Sequence, residues 1–268
     1  MSDTHVFQPT LLREYDIRGV VGETLFEADA RTIGRSFGTR IIENGGTSVA
    51  TGRDGRHSSP AMEQALAEGL ASTGLKVLRI GGCATPGLYF AVHHLGAGGG
   101  VMVTGSHNPP NYNGFKMMIG TGPFFGADIQ ALGNLAAAGG FATGSGSLVE
   151  EDIADAYVAR LLEGNRIKRA ISVVWDCGNG AAGPATVALC KTLPGSHCIL
   201  FPEVDGDFPN HHPDPTVPEN LETLIETVAE VGADLGIAFD GDGDRIGVVD
   251  DKGRILWGDQ LIAILAED

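Results

Sequence analysis

Strand-like and helix-like apolar patterning alternates along almost the whole chain, and no other feature restricts its fold as much. Residues 28–43 predict a helix, 47–51 a strand, 60–73 a helix after Pro60, 75–80 a strand, 86–95 a short helix and 98–104 a strand. A second series follows: a helix over about 150–163, strand 170–176, helix 184–193, strand 197–201, helix 219–231, then strands 234–239 and 246–250. This rhythm predicts an α/β fold in which each domain is a mixed, mostly parallel sheet flanked by helices. Ligand loops are then expected at the carboxyl ends of strands.

A chain of 268 residues accommodates about two domains. The stretch Gly139-Gly140-Phe141-Ala142-Thr143-Gly144-Ser145-Gly146-Ser147 supplies little packing and little turn restraint, so it is the expected linker, with a boundary near residue 148. Apolar residues make up 43% and charged residues 19%, with no apolar run long enough to span a bilayer, so a folded chain without membrane insertion is expected. A formal charge of −16 argues against nucleic-acid binding, which needs Lys and Arg to displace counterions from phosphates. Any anionic ligand therefore requires a local basic patch. Met1-Ser2-Asp3-Thr4-His5 carries neither a basic nor an apolar segment, nothing there resembles a secretory signal, and a cytoplasmic location is expected. Cys83, Cys177, Cys190 and Cys198 lack C-x-x-C spacing and sit among apolar or glycine residues, which predicts reduced, mostly buried thiols.

Two loops carry the chemistry. The strand ending near residue 104 runs into Thr104-Gly105-Ser106-His107-Asn108-Pro109-Pro110, where the prolines forbid a helix and leave the Ser106 hydroxyl on a shaped loop. Thr104 and Asn108 occupy the places where a G-x-S-x-G elbow needs glycine, so a lipase-type nucleophile does not fit. An ordinary polar turn remains the plain alternative for this loop taken alone. Asp240-Gly241-Asp242-Gly243-Asp244-Arg245 gathers three carboxylates between the apolar stretches Ile237-Ala238-Phe239 and Ile246-Gly247-Val248-Val249. Such a cluster repels itself unless a cation neutralises it, and carboxylate oxygens suit a hard divalent ion. Arg245 stands where an EF-hand needs glycine, and strands rather than helices flank the loop, so a calcium hand is excluded. Together the loops suggest a serine that carries a phosphoryl group beside a magnesium ion.

A third motif, Gly178-Asn179-Gly180-Ala181-Ala182-Gly183, has the spacing of a dinucleotide fingerprint, with Glu203 and Asp205 some 20 residues on. Asp176 would lie close to a bound pyrophosphate, and the helix after Pro184 begins too late to offer its N-terminus, so tight backbone packing is the favoured role.

Arg13-Glu14-Tyr15-Asp16-Ile17-Arg18-Gly19, the Ser106 loop and the aspartate loop, in that order, resemble the signature stretches of the α-D-phosphohexomutase family. The resemblance is to its bacterial phosphomannomutase/phosphoglucomutase branch, covers nearly the whole chain, and is supported by Gly114-Phe115-Lys116 and Asn210-His211-His212-Pro213-Asp214-Pro215. Phosphoglucosamine mutases resemble Ser-Ala-Ser at the serine and carry alanine between the last two aspartates. Gly105 and Gly243 here favour mannose or glucose phosphates. The resemblance implies two phosphohexomutase-type α/β domains, with 1–148 the phosphoserine domain, 149–254 the metal-binding domain, and 255–268 the start of a third, sugar-binding domain. On that comparison the third and fourth domains are missing. The chain alone is then expected to turn over weakly or not at all, and 255–268 could mediate association.

The function implied is that of an isomerase moving a phosphoryl group between C1 and C6 of a hexose phosphate. Ser106 carries the group, and a hexose 1,6-bisphosphate serves as intermediate and as activating donor. By the same resemblance Asp240, Asp242 and Asp244 hold Mg²⁺, with a phosphoserine oxygen as a further ligand. Tyr15, Arg18, Lys116 and Arg245 contact phosphate or substrate, while His107, Lys116 and Arg18 join Ser106 in catalysis. The physical logic is independent of the analogy, because phosphoryl transfer depends on positioning and charge stabilisation. Two other readings compete: a nucleotide-binding oxidoreductase built on 178–183, and a non-catalytic metal-binding module.

Overall fold

Alternation of side chains across the strands builds the first sheet between two apolar layers, as a strand's period of two requires. In the computed structural model, which describes residues 4–167 and 169–266, the chain forms two compact units that divide between Ile153 and Ala154. The first contains β1 (Ile17–Val20), α1 (Glu27–Glu43), β2 (Ser48–Arg53), α2 (Ser59–Ala71), β3 (Lys76–Gly82), α3 (Thr85–His94), β4 (Gly99–Val103), β5 (Tyr112–Ile119), β6 (Gly122–Phe124), α4 (Ala127–Ala138) and β7 (Ser147–Glu150). Its strand order is β1-β5-β4-β2-β3-β7, with β6 on β5. Strands β4, β2, β3 and β7 run parallel, and β5 is antiparallel to its neighbours β1, β4 and β6. Val49, Val77 and Val101 join Phe37, Leu66, Leu70 and Leu132 of α1, α2 and α4 in one core. Their chain neighbours Ala50, Leu78 and Met102 pack with Leu88 and Val92 of α3 in a second core on the other face.

The glycine-serine stretch does not act as the linker. Its backbone N–H groups dock on the first unit: Ala142 donates to Thr39 Oγ1 at 2.9 Å, Gly144 to the Ser72 carbonyl at 2.9 Å and Gly146 to the Ala71 carbonyl at 3.0 Å. The carbonyls at the end of α2 have no partner within their helix, and a backbone free of bulky side chains can reach them. Strand β7 then pairs with β3, so the first unit runs past residue 148 to Ile153.

The second unit contains α5 (Ala154–Glu163), β8 (Ile171–Asp176), α6 (Gly183–Cys190), β9 (Gly195–Leu200), a 3₁₀ turn (Pro218–Leu221), α7 (Glu222–Val231), β10 (Leu235–Phe239), β11 (Ile246–Asp250), β12 (Ile255–Leu256) and α8 (Gly258–Leu265). The sheet order is β12-β11-β10-β8-β9, with β10, β8 and β9 parallel and β11 reversed. Val174, Ala238 and Val249 pack against Leu221, Leu224 and Val228 beside α7. Ile255 and Leu256, in the stretch expected to open a third domain, form an edge strand on β11. Among the described residues no helix is long and apolar enough to cross a membrane.

In each unit one reversed strand follows the loop of interest. The Ser106 loop joins β4 to β5, and the aspartate loop joins β10 to β11.

Candidate functional site

Strand pairing extends one residue beyond β4, where Thr104 N–H donates to the Gly114 carbonyl at 3.0 Å. The Thr104 hydroxyl then accepts from Ser106 N–H at 2.7 Å and folds the chain back. Ser106 is left with φ of 50°, the left-handed region, at a cost of about 1–2 kcal/mol for a residue with a Cβ. The residue is 1% exposed. His107 Nδ1 lies 3.3 Å from its Oγ, and Lys116 Nζ, on β5, donates to the same oxygen at 3.5 Å. Ser106, His107 and Lys116 are therefore brought together.

Charged groups buried around the turn hold it in place. The Gly105 carbonyl accepts from Asn108 N–H at 3.0 Å, from Asn108 Nδ2 at 3.1 Å and from Arg18 Nη1. Arg18, expected to meet an incoming phosphate, is 3% exposed and also donates through Nε to Asp16 Oδ2 at 2.9 Å, so the turn and Asp16 both engage its guanidinium. Tyr15 lies on the surface with its ring stacked on Phe125, centroids 6.4 Å apart.

Two residues that sequence reasoning did not single out complete this site. Asp54 and Arg56 follow β2, and both are buried. Asp54 Oδ2 accepts from Gly105 N–H at 2.9 Å, while Arg56 donates to the carbonyls of Ser106 and Asn108 at 2.7 and 2.6 Å. Glycine is required at 105 because a Cβ there would fall 2.1 Å from Arg56 Cζ. The available signal was Arg53-Asp54-Gly55-Arg56 directly after a strand, a charged stretch at a position where α/β folds carry function.

In the second unit the aspartate loop closes on itself. Asp240 Oδ1 accepts from the backbone N–H groups of Asp244 and Arg245 at 3.1 Å each, and Gly243 N–H donates to the Asp240 carbonyl at 3.0 Å. Gly243 takes φ of 68°, which a Cβ would oppose. Asp240 and Asp242 are fully buried and Asp244 is exposed, and one carboxylate oxygen from each lies within 4.8 Å of the others. Two buried carboxylates and a third at the rim, all oxygen donors, fit Mg²⁺ or a similar hard cation. The Arg245 side chain is exposed beside them.

The neighbouring loops brace this one. Gly241 N–H donates to the Pro213 carbonyl at 3.2 Å, and Ala181 N–H to the Gly241 carbonyl at 3.0 Å. His211 Nε2 contacts Asp176 Oδ2 at 2.9 Å, and Asp176 Oδ1 accepts from Gly178 N–H at 2.9 Å. Burial disfavours a charged His211 ring, but the hydrogen bond and charge of Asp176, with the His212 carbonyl, outweigh it and raise the His211 pKa. The glycines at 178–183 serve close packing: a Cβ at Gly183 would approach the Pro202 carbonyl oxygen to 2.0 Å. Burial pushes the Cys83 and Cys177 thiols up to about 12 and Cys190 to about 11, so they are inert near neutral pH.

Family models described as phosphoglucomutase/phosphomannomutase alpha/beta/alpha domain I and domain II match residues 9–141 and 155–253. A phosphomannomutase/phosphoglucomutase of Pseudomonas putida is 45% identical over 259 residues, which cover 97% of this chain and 56% of that protein. A phosphoglucomutase of Neisseria gonorrhoeae is also 45% identical, over 96% of this chain and 56% of its own length. The crystal structure of a phosphoglucomutase/phosphomannomutase family protein from Burkholderia thailandensis superposes with a TM-score of 0.93 at 43% identity, covering 98% of this chain and 59% of that one. The chain spans little more than half the length of these relatives. Both domain models match in order and the identity runs nearly end to end, so the chain belongs to the phosphoglucomutase/phosphomannomutase family.

Proposed function

We infer that Ser106 carries a phosphoryl group and exchanges it with the C1 and C6 hydroxyls of a hexose phosphate, glucose or mannose. A hexose 1,6-bisphosphate is both the intermediate and the activating donor. The observation that carries this reading is the Ser106 hydroxyl itself, held on a strained turn with Lys116 Nζ and His107 Nδ1 beside it. The names of the relatives, phosphomannomutase/phosphoglucomutase and phosphoglucomutase, support the reaction class, an isomerase acting by phosphotransfer.

Each residue has a definable task. Ser106 Oγ attacks phosphorus in one direction and leaves it in the other. Lys116 and His107 offer charge-assisted hydrogen bonds to the phosphate that results, and Arg18 adds positive charge behind the turn. In a chain of net charge −16 this local cationic surround is what admits an anionic donor. Asp240, Asp242 and Asp244 would hold Mg²⁺, which when bound supplies neutralisation of phosphoryl oxygens.

The test is mass spectrometry of the chain after incubation with glucose 1,6-bisphosphate and Mg²⁺. One added phosphate, mapped to Ser106 and missing from Ser106→Ala, is the expected result. A phosphate elsewhere, or none, removes Ser106 as the carrier.

A further inference from the structure

The geometry points to Arg56 as a positioning residue for phosphoryl transfer at Ser106, an inference that rests on Ser106 being the phosphoryl carrier. A guanidinium has five N–H donors in one plane. Here Nε donates to Asp54 Oδ2 at 3.2 Å, Nη1 to the Pro109 and Tyr112 carbonyls at 2.5 and 3.1 Å, and Nη2 to the Ser106 and Asn108 carbonyls at 2.7 and 2.6 Å. Three loop carbonyls, the serine's own included, and the first carbonyl of β5 are thus fixed against one rigid plate.

That plate has a backing. Asp54 Oδ1 accepts from Arg56 N–H at 3.1 Å and from the Ser59 hydroxyl at 2.5 Å, and Asn113 Nδ2 donates to Ser59 Oγ at 3.0 Å. Through Oδ2 the same carboxylate holds Gly105 N–H, so the peptide groups on either side of the Ser106 turn are tied to one buried ion pair. A buried ion pair is a weak argument for stability alone, since well-packed apolar residues often serve as well. Directional donors to four carbonyls are something apolar residues do not provide. A serine in the left-handed region persists only where its surroundings over-determine it, and this pair does so together with the Thr104 hydroxyl, Asn108 and Arg18.

The consequence is kinetic. Transfer forms the Oγ–P bond as the P–O bond to the donor's C1 or C6 oxygen breaks, and the serine proton ends on the departing sugar oxygen. In-line displacement tolerates little error in the direction of Oγ, and that direction follows the backbone of Ser106. Arg56→Lys retains the charge opposite Asp54 but offers donors from a single point and cannot reproduce the fork.

The experiment follows Ser106 phosphorylation over time by mass spectrometry, across a series of glucose 1,6-bisphosphate concentrations with Mg²⁺. Arg56→Lys is expected to lose about a hundredfold in limiting rate, with the half-saturating donor concentration changed by no more than about twofold. Asp54→Asn is expected to behave alike, and carries the test if Arg56→Lys fails to fold by circular dichroism. Phe37→Leu, a change in the α1 core where Phe37 packs edge-on to Phe124, lowers stability and is expected to load at the wild-type rate. Wild-type loading by Arg56→Lys, or by Asp54→Asn in its place, overturns the assignment and leaves Ser106 as carrier. Equal slowing in Phe37→Leu overturns it as well, since any loss of stability would then suffice. So does a change confined to half-saturation, which would make Arg56 a donor-binding group. Absence of phosphate on wild-type Ser106 overturns the carrier reading and this one together.

Discussion

The serine turn has no room for a larger residue at 105. Arg56 occupies the volume a Cβ would need, and the buried guanidinium cannot step aside without releasing four carbonyls. Gly105→Ala is therefore expected to destabilise the first unit by at least about 1–3 kcal/mol, the usual cost of overpacking. Urea titration followed by far-ultraviolet circular dichroism measures it, and an unchanged midpoint would refute the close approach. Ser106 and the three aspartates were legible in the sequence because each motif is local: proline blocks the helix, and glycine alternates with aspartate. Arg56 was not, because its partners lie some 50 residues further on and only strand order brings them together. Arg18 was singled out from its motif as a phosphate contact, but its engagement by Asp16 and Gly105 is set by tertiary contacts that the motif does not show.

At the scale of elements, α1, α2, α3 and the strands β2, β3 and β4 were readable from their apolar pattern, whereas β1, β5, β6, α4 and β7 were not. β5 contains Asn113 and Gly114, and α4 contains Gly133, residues that local propensity counts against strand and helix. Tertiary pairing overrides that preference, because β5 is flanked by β1 and β4 and contributes Phe115 to the core. The loop linking β9 to α7 is ordered by a different device, the His211–Asp176 contact that joins it to the end of β8. The folded-state pKa of His211 is raised, so its stabilising contribution is fully present below the ordinary imidazole value of about 6.5 and is lost as pH rises through the raised value. Wild type should show a corresponding fall in the unfolding midpoint of the second unit as pH increases from about 5.5 to 8, with at most one proton's worth of slope from this residue. His211→Gln should flatten that part of the profile. An identical profile in the variant would remove the pair from the account.

For the molecule as a whole, the Ser106 turn and the aspartate loop lie in different units, and the sequence happens to label one of those units. Both tryptophans, Trp175 and Trp257, lie in the second unit, so indole fluorescence follows that unit alone. Asp240, Asp242 and Asp244 crowd their charge into one loop, and without a cation that repulsion opposes the folded form. A cation that binds only the folded loop stabilises it by mass action, about 2.7 kcal/mol at a hundred times its dissociation constant. Mg²⁺ is therefore expected to raise the fluorescence-detected unfolding midpoint in a saturable way. Asp242→Asn removes a buried negative charge while nearly preserving shape, so the two contributions move in opposite directions. The metal-free variant should be at least as stable as metal-free wild type, and it should lose most of its response to Mg²⁺. A variant that keeps the full Mg²⁺ shift would place the cation elsewhere. One that loses stability without metal would mean that the Asp242 carboxylate is a structural hydrogen-bonding group rather than a ligand held in readiness.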